Sequence, residues 1–95
     1  MRDYELTLII NPELNDESFD TTLDNISRFI TDRGGVITDT ERKGKKRLAY
    51  PIKHRIEGYY VMLKMQIEPS LGNELEASLL ISEDVIRHLL IRVGS

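Results

Sequence analysis

The chain has 95 residues, 40% of them apolar and 31% charged, with a net charge of −3 and no cysteine. That is enough for one domain around one core, expected to span 1–95, and the composition is that of a folded protein rather than a disordered one. Disulfide frameworks, thiolate metal sites and cysteine nucleophiles are excluded together. No apolar run reaches the roughly 18–20 residues a bilayer crossing requires. Met1-Arg2-Asp3-Tyr4-Glu5 enters a strand-like alternation directly and is unlike a signal peptide, so a cytoplasmic protein is expected.

Tyr4, Leu6, Leu8 and Ile10 alternate with Glu5, Thr7 and Ile9, which predicts a strand ended by Asn11-Pro12. Asn15 or Asp16 offers a helix N-cap, and the acids Asp16, Glu17 and Asp20 suit the positive end of the helix dipole. Phe19, Leu23, Ile26 and Ile30 then fall on one helical face, and Gly34-Gly35 supplies the stop. Val36 to Leu48 reads as a second strand, basic in its later half, with a bulge or bend expected at Gly44. Leu48-Ala49-Tyr50-Pro51-Ile52 closes it and enters a loop reaching Gly58.

From Tyr59 to Glu68 the period-two pattern is the clearest in the chain, with Tyr59, Val61, Leu63, Met65 and Ile67 on one side. Pro69 stops this strand and Ser70 is the expected cap of a second helix carrying Leu71, Leu75 and Leu79. Val85 to Val93 is the last strand, of ambiguous parity because Leu89-Leu90-Ile91 is apolar on both faces. The order β-α-β-β-α-β is that of the ferredoxin-like α+β class, with two helices on one face of a four-stranded antiparallel sheet. The other face is left open by this reading, and it receives Ile9, Tyr60, Met62 and some of Leu89 and Ile91. An apolar group of that kind marks a partner surface.

The charge is segregated. Arg42, Lys43, Lys45, Lys46, Arg47, Lys53 and Arg55 lie in a 14-residue stretch without a single acid, whereas the other 81 residues hold six basic and sixteen acidic side chains. Such a patch suits phosphate contact, and equally a solvated hairpin that discourages edge aggregation. Catalytic constellations are missing. His54 and His88 lie in different elements without metal-pair spacing, Ser18, Ser27, Ser70 and Ser78 lack a nucleophile-elbow context, and Gly34-Gly35 is no phosphate loop. The expectation is a non-enzyme without metal or cofactor. The aromatic signature of an RNA-recognition motif is absent from Gly58-Tyr59-Tyr60-Val61-Met62-Leu63. A small-ligand regulatory module is compatible with the fold but leaves the basic segment unexplained.

Met1-Arg2-x-Tyr4-Glu5, Asn11-Pro12, and Arg47-Leu48-Ala49-Tyr50-Pro51-Ile52 followed by Gly58-Tyr59 closely resemble the bacterial small-subunit ribosomal protein six family, over essentially the whole chain. The resemblance implies a structural protein of the ribosome's platform, from a bacterium or an organelle. It also implies binding to the central domain of small-subunit ribosomal RNA as a heterodimer with small-subunit ribosomal protein eighteen. Position 3 is Asp where the family often has a basic residue, which weakens RNA contact at that end.

With the resemblance and the charge pattern together, the candidates for RNA are Arg2, Lys43, Lys45, Lys46, Lys53, Arg55 and Arg87. Those for the protein partner are Glu41, Arg42, Arg47, Tyr50, Tyr60 and Met62. Lys and Arg would neutralise phosphates and release counterions, and the mixed signs of Glu41, Arg42, Lys46 and Arg47 would set pairing geometry. Alternation along the strand forbids all the basic side chains from facing one partner, and a bulge at Gly44 would shift their parity.

Overall fold

The computed structural model describes residues 1–94, in the order β1 (Arg2–Ile10), α1 (Asp16–Asp32), β2 (Val36–Ile52), β3 (Arg55–Ile67), α2 (Pro69–Leu80) and β4 (Val85–Arg92). The strands form one sheet in the order β2-β3-β1-β4, antiparallel at every step. This is the expected ferredoxin-like arrangement. β1 and β3 are central, so their inner-facing residues are covered from both sides as well as from the helices.

The alternating pattern fixes which residues meet the helices. Leu6, Leu8 and Ile10 of β1 and Val61, Leu63, Met65 and Ile67 of β3 are fully or almost fully buried against Phe19, Leu23, Ile26 and Ile30 of α1 and Leu71, Leu75 and Leu79 of α2. Asn15 caps α1, its Oδ1 accepting from the Ser18 N–H at 2.7 Å. The helix ends where the Gly34 N–H donates to the Thr31 carbonyl and the Gly35 N–H to that of Ile30, a Schellman pair. α2 starts two residues earlier than the sequence suggests. Glu68 is its N-cap without a side-chain bond, and Pro69 occupies the first turn, where its missing N–H would have had no intrahelical partner. Pro69 therefore both stops the strand and opens the helix, and Ser70 is not the cap.

The largest departure is at the β2–β3 connection. The loop expected to follow Leu48-Ala49-Tyr50-Pro51-Ile52 and reach Gly58 shrinks to a tight turn: β2 continues to Ile52 and β3 begins at Arg55. Ile52 faces Arg55 across a two-residue turn, Lys53-His54, with φ of 51° and 64°. Positive φ at both turn positions matches the right-handed twist of a hairpin, a geometry usually supplied by Asn-Gly. Gly44, at φ 87°, follows the register shift between Arg42 and Gly44 that leaves Lys43 unpaired, so the expected bulge is present there. In β4 a shift opposite Ile9–Ile10 resolves the parity: Leu90 points to the core, while Ile86, Leu89 and Ile91 do not.

Candidate nucleic-acid and partner interface

Away from the helices the sheet carries a second, smaller apolar group. Ile9, Leu48 and Ile86 are buried together, with Ile52 and Tyr60 packed at the margin. It forms because the outer half of β2 bends over this face and brings Leu48 onto Ile9. Gly58 permits the approach, since a Cβ there would collide with the Ile9 Cγ2 and touch Leu48. The bend is tied down by Arg87 of β4, whose Nη1 donates to the Tyr50 hydroxyl at 2.6 Å. The face expected to be wholly open is thus partly roofed by its own hairpin.

Beside this roof the surface remains apolar. Leu89 and Ile91 are each 51% exposed, and Met62 is half-buried in line with Tyr60 on β3. Cross-strand pairing puts Glu41 beside Met62, and Lys46 beside Gly58 with its Nζ 5.9 Å from the Tyr60 ring centroid. Tyr60, Met62, Glu41, Lys46, Tyr50 and Arg87 are therefore brought to one face, which mixes apolar and charged side chains and carries Thr7 and Glu5 of β1 between β3 and β4. Leu48 and Ile86 complete it. Leu48 could have been found from its alternation with Lys46 and Tyr50, whereas Ile86 depends on the β4 bulge.

The remaining candidates lie elsewhere. Arg42 is on the helix side, its Nη2 3.0 Å from Asp20 Oδ1 of α1 and its guanidinium 5.3 Å from the Phe19 ring centroid. It cannot share a contact surface with its neighbour Glu41, which lies across the sheet. Arg47 is opposite Glu57, on the other side of β2 from Lys46 and Tyr50. Lys45 pairs with Tyr59 on the helix side, and Lys53 and Arg55 sit at the hairpin tip. Arg2 lies at the far end of β1, opposite Ile67, with Arg92 close by opposite Tyr4. The twelve steps of β3 from Arg55 to Ile67 separate the tip from Arg2 by roughly 35–40 Å along the strand. Arg2 is thus at the end of a central strand, not at a lateral edge of the sheet.

Part of the positive charge is neutralised within the chain. Arg42 pairs with Asp20, Arg55 with Glu13 at 3.1 Å, and Lys43 with Glu41 at 3.7 Å. No sequence signal announces these pairs, whose partners are up to 42 residues apart. Among the described residues Lys45, Lys46, Arg47 and Lys53 have no ion-pair partner, and no group of three or more His, Asp or Glu could hold a metal ion. No helix among them is long and apolar enough to cross a membrane.

A family model described as Ribosomal protein S6 matches residues 3–92. The chain belongs to the ribosomal protein S6 family. Relatives named small ribosomal subunit protein bS6 are 41% identical over 93 residues in Moorella thermoacetica, covering 98% of this chain and 95% of that one, and 42% identical over 92 residues in Desulforudis audaxviator, covering 97% and 98%. The crystal structure of 30S ribosomal protein S6 from Thermotoga maritima superposes with a TM-score of 0.91 at 29% identity, covering 97% of this chain and 87% of that chain. Membership of the S6 family makes the chain a structural protein of the small ribosomal subunit and not an enzyme. It also confirms the family expected from the Arg2-to-Tyr59 motifs.

Proposed function

We propose that this chain, acting as one domain over residues 1–95, binds small-subunit ribosomal RNA together with small-subunit ribosomal protein eighteen during assembly of the platform. The open sheet face is the surface for the protein partner. The cations of the hairpin and of the Arg2 end serve phosphates. The observation that carries this reading is the composition of the open face: Tyr60 and Met62 on β3 and exposed Leu89 and Ile91 on β4, with Thr7 and Glu5 of β1 between them and Glu41, Lys46 and Arg87 around them. Apolar side chains exclude water and charged ones set orientation, as in a protein–protein contact.

The RNA part rests on charge and distance. Among the described residues the hairpin cations Lys45, Arg47 and Lys53 have no ion-pair partner, and Arg2 stands at the other end of a molecule 36 Å long. Contacts at both ends suit a backbone read by shape along the sheet, with joint recognition by the heterodimer supplying specificity. For about four phosphate contacts, affinity should fall on the order of 10²-fold between 50 and 200 mM salt. The test is RNA binding by the heterodimer over that range. A flat salt dependence, or equal RNA affinity with the partner omitted, would sink the reading.

A further inference from the structure

Between the hairpin tip and the loop after β1 lies a cavity of about 570 Å³, lined from the hairpin by Lys45, Lys53, His54 and Arg55 and from the loop by Pro12 and Glu13. Arg55 is the cation most enclosed there, with its side chain 31% exposed and its Nη1 3.1 Å from Glu13 Oε2. Glu13 is itself 79% exposed, and its backbone N–H donates to Asn11 Oδ1 at 3.0 Å. The loop is thereby fixed while the carboxylate end stays free to move. Glu57, the other acid of the lining, faces Arg47 across the hairpin, and Lys45 and Lys53 have no ion-pair partner among the described residues. The turn adds a further mark. Lys53 and His54 both hold the left-handed conformation, which costs non-glycine residues free energy, and both line this cavity.

We propose that this cavity is a phosphate site, and that Glu13 occupies its central cation, Arg55, until a phosphate displaces it. The reading of the chain as RNA-binding supplies the source of that phosphate, the RNA backbone. A guanidinium offers a planar fork of donors, which a phosphate group fills with two parallel hydrogen bonds. Lys45 and Lys53 add charge that a carboxylate from the same chain leaves unused. An exposed ion pair such as Arg55–Glu13 exchanges easily, so Glu13 tunes affinity rather than blocking the site. It also leaves the tip with one uncompensated cation fewer when no phosphate is bound.

The test uses the full chain and inorganic pyrophosphate as probe, followed by backbone amide shifts, with thermal midpoints confirming that each variant is folded. Saturable shifts are expected at Glu13, Lys45 and Lys53 to Arg55. Glu13→Gln should tighten binding about threefold, by removing a competitor worth no more than an exposed pair. Arg55→Ala should weaken it about fivefold or more, through loss of the bidentate donor. Arg28→Ala, a cation of α1 that pairs with Asp24 and lies outside the cavity lining, should change nothing. Shifts that do not saturate, an unchanged constant in Glu13→Gln, or equal weakening by Arg28→Ala and Arg55→Ala would overturn the proposal. Parallel titration of the heterodimer with ribosomal RNA separates the two claims. Saturable pyrophosphate binding without RNA binding refutes only the RNA reading, and salt-sensitive RNA binding without a saturable pyrophosphate site refutes only the cavity.

Discussion

The two faces of this sheet are built from the same strands but to different rules. On the helix side every inward position of β1 and β3 from Leu6 to Ile10 and from Val61 to Ile67 is apolar and sealed. On the other side, among the described residues, the buried apolar side chains are Ile9, Leu48 and Ile86, and the exposed Leu89 and Ile91 share the face with Glu41, Lys46 and Arg87. The first face can do nothing but stabilise the fold, because it is closed to any partner. The second gives up burial within the chain and keeps the mixture of apolar area and charge from which a specific contact is made.

Truncation should separate the faces most sharply. Leu75→Ala removes a 1% exposed side chain from the helix-side core and should cost about 2–5 kcal/mol in urea unfolding. Gly58→Ala tests the roof over the other face. The added methyl meets Ile9, so a loss of about 1–3 kcal/mol is expected, and no loss would mean that Leu48 does not press down on Ile9. The turn should respond with the opposite sign: Lys53→Asn combined with His54→Gly relieves two positive-φ positions and should stabilise by about 1 kcal/mol. Smallest of all, Leu89→Ala should shift stability by less than about 0.5 kcal/mol, as for a half-exposed side chain outside the core. A cost above 2 kcal/mol there would erase the distinction between the faces.

What could be read from the sequence was local and periodic. The spacing of Phe19, Leu23, Ile26 and Ile30, the alternation from Tyr59 to Ile67 and the Asn15 cap each depend on neighbours within a few residues, and each is found in place. The segment from Ala49 to Glu57 misleads because Pro51 and three charged or imidazole side chains in a row, Lys53-His54-Arg55, resemble loop chemistry. Its strand character comes from pairing and from Leu48 resting on Ile9, contacts made between distant parts of the chain. Proline at 51 is tolerated because β2 is an edge strand. The charge run was legible as a run but not as a surface. Its division follows from the bulge at Lys43 and from Asp20 and Glu13, which claim Arg42 and Arg55 from other elements.

The central claim is that the open face, and not the helix side of the basic strand, receives the protein partner. The direct measurement is the affinity for small-subunit ribosomal protein eighteen without RNA, for Met62→Asp on the open face against Arg42→Ala on the helix side. Met62→Asp replaces an apolar side chain of the open face by a carboxylate beside Glu41 and should weaken pairing at least about tenfold, or 1.4 kcal/mol, with the unfolding midpoint little changed. Arg42→Ala should leave pairing within about twofold of the wild type, since its guanidinium already serves Asp20 and Phe19. Pairing that survives Met62→Asp and is lost in Arg42→Ala would contradict the account.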